Sequence, residues 1–191
     1  PNSQGDKKLA LKAYTKDGGL PTGIGGDDKA GVFICLQLLE RFNVIKAFFP
    51  VAEETGCHGS RGAKESFFSN VGYAIQFDST ENDTMSLSLM GTQLFEQDSE
   101  FFNKAKNLIL EHGFTEWRHH PYTDTMVLKE RFNFACLNFA AGYYNYHSDN
   151  EYVIVEDVLN STLLGEGVIK ELGNEFYEFT VPKKDSFGWF D

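Results

Sequence analysis

Four carboxylates and one histidine carry the strongest chemical signal in this sequence of 191 residues. Asp27 stands where the turn-rich stretch Gly18-Gly19-Leu20-Pro21-Thr22-Gly23-Ile24-Gly25-Gly26 passes into an amphipathic run. Glu53 and Glu54 follow the apolar run Ile45 to Val51, and Asp78 ends the apolar run Tyr73 to Phe77. A carboxylate held against apolar strands either takes up a proton or finds a cation, because an unpaired buried charge is costly. Hard oxygen donors joined by one imidazole, that of His147, suit zinc, and cobalt or manganese accept the same donors. Each position also has a plain structural reading. Asp27-Asp28 could cap a helix, the glutamate pair could be a solvated turn, Asp78 could cap a turn with Ser79 and Thr80, and a lone histidine is more often structural.

The elements that must position these residues follow from periodicity. Leu9 to Tyr14 alternates as a strand, and Asp28 to Phe42 places Val32, Leu36 and Leu39 at helical spacing. Ile45 to Val51 reads as a buried strand, Ser60 to Phe68 as a helix, and Tyr73 to Phe77 as a strand. Met85 to Phe95 reads as a strand with a turn, Ser99 to His112 as a helix, Asp124 to Arg131 as a short helix and Phe134 to Phe139 as a strand. Glu156 to Leu172 is a helix stopped by Gly173. The alternation of Phe176, Tyr177, Phe179 and Val181 predicts a final edge strand. Strands alternating with helices predict a three-layer α/β/α domain with a mostly parallel central sheet, over residues 1–191 as one unit. In such sheets ligands collect at the carboxyl ends of strands, where Glu53-Glu54 and Asp78 fall.

Composition narrows the partners. Lys and Arg total 17 against 28 Asp and Glu, a formal charge of −11 that disfavours nucleic acid and anionic membrane surfaces. No run of eighteen apolar residues and no signal-peptide pattern appear. The three cysteines, Cys35, Cys57 and Cys136, lack a disulfide-framework spacing and predict free thiols in a reducing, cytoplasmic compartment. Cys35 and Cys136 sit in apolar runs and are expected in the core. The opening Pro1-Asn2-Ser3-Gln4-Gly5-Asp6 reads as a loop in mid-protein, and truncation ahead of it is expected.

Taken together, Gly25-Gly26-Asp27-Asp28-Lys29-Ala30-Gly31, Pro50-Val51-Ala52-Glu53-Glu54-Thr55-Gly56, Phe77-Asp78 and Tyr144-Asn145-Tyr146-His147-Ser148-Asp149-Asn150-Glu151-Tyr152 occur in the order of the co-catalytic zinc exopeptidases typified by peptidase T. The chain resembles that clan over nearly its whole length. The resemblance implies two zinc ions. Asp27 would bridge them, Glu54 and His147 would complete one site, Asp78 would serve the other, and Glu53 would be the general base for hydrolysis of a peptide or acyl-amino-acid bond. Two departures stand out. The clan carries a His-x-Asp element ahead of the aspartate motif, whereas no histidine here precedes His58, so one metal site is short of a ligand. The clan's peptidase T branch also inserts a lid or dimerisation domain between the positions matching Asp78 and His147. Here the remaining elements of one domain fill that interval, as in single-domain aminopeptidases.

Further candidates surround this set. Asp124 resembles a position near the substrate cleft, although it could simply cap a short helix. Arg118, His119 and His120 form a cluster suited to a substrate end, and Tyr144 is placed to shape the pocket wall. His58 is expected at the surface. Two other readings stay open: a glutaminyl-cyclase-like zinc acyltransferase using one metal, and a metal-binding or interaction module without catalysis.

Overall fold

The computed structural model describes residues 8–17, 19–120 and 123–180. Strand β3 (Tyr73–Ser79) runs parallel to β7 (Ala135–Ala140), which meets β4 (Thr84–Leu89) antiparallel at Met85 and Phe139. β4 in turn pairs parallel with β6 (Glu116–His120) and forms a hairpin with β5 (Thr92–Gln93). The central sheet is therefore mixed, two parallel pairs joined by one antiparallel step.

Alternation along β3 separates its faces. Phe77 points toward α6 (Val155–Leu172), where a Cβ on Gly165 would come within 2.7 Å of the Phe77 ring. Gln76 points the other way, and its side-chain oxygen accepts from Thr123 Oγ1 and the Thr125 amide at the start of α5 (Asp124–Phe132). Helix α1 (Gly26–Arg41) packs beside α6, which also contacts α4 (Glu100–Glu111). With layers on both faces, all six residues of β7 are buried. This is the α/β/α arrangement expected, and it explains why a continuous run such as Ala135–Ala140 carries no polar face beyond Asn138.

Small residues set the spacing of these layers. A Cβ on Gly31 of α1 would lie 2.1 Å from the Phe77 carbonyl oxygen, so only glycine lets α1 cross β3 this closely. Ser99 caps α4 by accepting from the Phe102 amide, and α4 buries Phe101, Phe102, Ala105 and Ile109 on one stripe.

A second antiparallel sheet, in the order β2 (Pro21–Thr22), β1 (Ala10–Tyr14), β9 (Tyr152–Ile154), β8 (Tyr143–Tyr144), was not foreseen. Except for β1 its strands are two or three residues long, too short for alternation to register. It brings the loop ahead of Asp27 beside the loop that carries His147.

Three expected elements differ. Ile45 to Val51 is not a strand: a cleft of about 530 Å³ lies between it and β3, Val44, Phe49 and Val51 are exposed, and Lys46 Nζ is drawn to Phe67 O and Asn70 Oδ1. Ser60 to Phe68 is broken into α2 (His58–Arg61) and α3 (Glu65–Phe68), because the Arg131 guanidinium donates to the Ser60 and Ala63 carbonyls that a continuous helix would use. The tail makes a single bridge, Phe134 to Glu178, in place of a strand, and Val181 lies outside the described residues. Cys57 and Cys136 are buried and Cys35 is partly buried; all three are free. No helix among the described residues is long and apolar enough to cross a membrane.

Candidate metal centre

Asp27 owes its place to the glycines before it. Gly25 adopts the left-handed conformation at φ 69°, and a Cβ on Gly26 would fall 2.7 Å from Val153 Cγ2 and 2.9 Å from Tyr143 Cβ. The Asp27–Asp28 peptide is cis, and Asp27 and Asp28 have non-helical backbone angles at the head of α1. The Asp28 carboxylate accepts from the Gly31 amide at 2.9 Å, which serves the helix start, while the Asp27 carboxylate faces His147.

Glu53 and Glu54 sit in a tight turn ahead of α2, closed by the Gly56 and Cys57 amides donating to the Glu53 carbonyl. His147 occupies another constrained turn, itself at φ 56° with Asn145 at φ 53°. These turns converge: His147 Nε2 lies 2.8 Å from Glu54 Oε1 and 3.1 Å from Asp27 Oδ2. One donor atom from each of Asp27, Glu54 and His147 falls within 4.8 Å of the others. Two carboxylate oxygens and an imidazole nitrogen at this spacing fit zinc with a position left open.

Asp78 extends the cluster. Its carboxyl lies close enough to that of Asp27 for each to act on the other, Gln76 Nε2 donates to Asp78 Oδ2 at 2.9 Å, and the Asp78 amide donates to Asn138 Oδ1 at 3.1 Å. Burial, then the neighbouring Asp27 and Glu53 charges, push Asp78 up to about 8. Burial also raises Asp27, with Glu54 adding to it, and burial followed by Glu54, Asp124 and Asp27 pushes Glu53 up to about 7. The hydrogen bond with Glu54 raises His147. So many carboxylates sharing one partly buried site carry a repulsion that a divalent cation relieves.

The other candidates divide. Asp124 is buried at the head of α5, accepts from Ser60 Oγ, and is close enough to raise Glu53 and Asp78 electrostatically. Arg118 pairs with Glu81 and Glu116 on the surface, and His119 Nδ1 is 2.7 Å from Ser88 Oγ. His120 Nδ1 is likewise 2.6 Å from Ser86 Oγ. The Tyr144 hydroxyl donates to Asp157 at 2.6 Å and its ring stacks on Tyr152, so its contacts fix the second sheet to α6. His58 is exposed. Gln76, Asn138 and Glu151 also shape the cluster. Each acts through hydrogen bonds to a residue of the cluster, two of them in the case of Asn138 with Asp78, and only Glu151 carries a sequence signal, its place four positions after His147.

Beside the triad a cavity of about 450 Å³ is lined by Gly23, Gly25, Asp27, His147, Ser148, Asp149 and Glu151. No lysine or arginine is among these.

No family model matches the chain, and no curated protein matches it in sequence. Its fold is found in solved structures. Aminopeptidase PepT from Bacillus cereus superposes at a TM-score of 0.63 with 14% identity, over 85% of this chain and 76% of that one. Aminopeptidase APDkam598 from the archaeon Desulfurococcus kamchatkensis superposes at 0.58 with 18% identity, over 85% of this chain and 52% of its own. PhTET1-12s, a dodecamer, superposes at 0.56 with 16% identity, over 83% and 53%. This chain thus spans about half the length of the last two.

Proposed function

We propose that this chain is a zinc-dependent aminopeptidase, hydrolysing the amino-terminal bond of a peptide with Glu53 as general base. The observation that carries the reading is the convergence of Asp27, Glu54 and His147, drawn from three separate turns, beside a carboxylate not needed to complete that donor set. When bound there, zinc supplies a polarised scissile carbonyl and a more acidic water. Glu53 takes the proton of the attacking water and returns it to the leaving amine, a task suited to a partly buried carboxylate that lies beside the donor set without belonging to it. Among the described residues Asp27, Glu54 and His147 form the more complete site, and Asp27 with Asp78 would serve a second ion.

The choice of the amino end rests on charge. The carboxylates of Asp27, Asp149 and Glu151 border the cavity and outnumber the lysine beside it, Lys29, whose Nζ is held by the Ile24 carbonyl next to Gly25, so the site favours an ammonium group over a carboxylate. Two of the solved structures sharing the fold carry the name aminopeptidase, which supports the same end.

Metal analysis and a peptide panel test the proposal. The protein should take up zinc, lose it on His147→Ala, and cleave free-amine peptides while sparing the same peptides acetylated at the amino end. Zinc uptake without cleavage of any peptide, including glutaminyl ones, would leave a binding module. Cyclisation of amino-terminal glutamine without hydrolysis would make it an acyltransferase.

A further inference from the structure

The three proposed zinc ligands come from loops that sequence places far apart, and one buried carboxylate joins two of those loops. Glu151 is 4% exposed. Its Oε2 accepts from the Gly25 amide at 2.6 Å and its Oε1 from the Asp27 amide at 2.9 Å, so both oxygens are spent on the backbone that leads into Asp27. Glu151 itself closes the turn that presents His147: its amide donates to the Ser148 carbonyl, Ser148 Oγ donates to the Asn145 carbonyl, and the Asn150 amide donates back to Ser148 Oγ. The circuit is completed by His147 Nε2 at 3.1 Å from Asp27 Oδ2.

We propose that Glu151 is a positioning residue for the metal centre, clasping the Asp27 loop to the His147 loop so that both ligands face the same point; this rests on the zinc reading above. A carboxylate accepting two N–H groups is among the stronger neutral-backbone contacts and fixes direction as well as distance. Glu151 cannot serve as a ligand while both of its oxygens hold amides. Its substitution therefore acts on zinc through Asp27 and His147.

The test compares wild type, Glu151→Gln and Glu151→Asp. Glutamine keeps the volume but turns one acceptor into a donor that faces an N–H, whereas aspartate keeps the charge and is short of one of the two amides. Zinc affinity is read by chelator competition, the ligand geometry by the absorption of the cobalt-loaded protein, and the clasp by the Gly25 and Asp27 amide proton shifts without metal. Glu151→Gln should lose roughly 10–100-fold in zinc affinity, the range for groups that orient metal ligands. It should also alter the cobalt spectrum and move both amides upfield, with Glu151→Asp between it and wild type. A residue that merely stabilised the loop would leave affinity and spectrum unchanged in folded protein. Folded Glu151→Gln binding zinc within about twofold of wild type, with the same cobalt spectrum, overturns the proposal. Should that variant not fold, Glu151→Asp decides by the same comparison. Wild type that binds no zinc overturns the metal reading itself, before any variant is compared.

Discussion

Glu53 and Glu54 are neighbours in sequence with opposite surroundings. The Glu54 side chain is 59% exposed and reaches His147, while Glu53 lies among buried carboxyls and accepts a long contact from Cys57 Sγ. A base must keep its proton exchangeable and a ligand must give its lone pair to the metal, so the two substitutions should separate. Glu53→Gln should retain zinc near the wild-type level and lower peptide turnover by roughly 10²–10⁴-fold. Glu54→Gln should weaken zinc binding first, with activity falling only as zinc is lost; parallel metal analysis and rate measurement distinguish them. Asp27, Glu54 and His147 were legible in the sequence because each sits in a short run of distinctive neighbours. Gln76 and Asn138 were not, and Glu151 only by its place after His147, because what they hold is a backbone amide or a carboxylate oxygen whose direction exists only once the chain has folded.

Among the elements, α5 contains a group that no function claims. Lys129 is fully buried and its amine has no hydrogen-bond partner among the described residues; it lies 4.5 Å over the Phe179 ring. Burial pushes its pKa down to about 8. The unfolded chain binds this proton up to roughly pH 10.4, so the folded state is penalised below that point and the penalty is complete once pH falls under about 8. Lys129→Met should therefore stabilise the protein near pH 7 by about 1–2 kcal/mol, after the lost ring contact offsets part of the gain. The advantage should shrink as pH rises from about 8 toward 10.4, which urea denaturation across that range would check; an advantage that grew with pH would contradict the assignment. At this scale periodicity located every long helix to within a few residues, but in α1 it picked the wrong face: Ala30, Ile34 and Leu38 are buried, while Val32, Leu36 and Leu39, the residues expected to line the core, are exposed. It failed where tertiary partners decide. Nothing local in Ser60 to Phe68 announces that Arg131 will take two of its carbonyls, and nothing local in Ile45 to Val51 announces that Lys46 will be held by Phe67 and Asn70.

For the molecule as a whole, the net charge of −11 is concentrated in its effect where Asp27, Asp28, Glu53, Asp78 and Asp124 gather. A ligand that binds the folded state alone stabilises it by mass action, about 2.7 kcal/mol at a free concentration one hundred times its dissociation constant. For a domain of this size that is a rise of roughly 5–10 °C in Tm. Zinc should produce it in wild type and not in His147→Ala, and a thermal melt with and without added zinc reads both. The closure of the second sheet bears on how quickly such a site can arise. β1 pairs with β9 by setting Ala10 opposite Ile154, and the contact that holds Asp27 comes from a residue 124 positions away. Contacts of that span form late and slowly, because the loop entropy is lost before they return anything. During refolding from denaturant with cobalt present, helical ellipticity should therefore recover ahead of the cobalt absorption band. Cobalt colour would then serve as a clock for the last stage of assembly, and a chain that has recovered its helices but not its colour has yet to lay β1 and the Asp27 loop against β9.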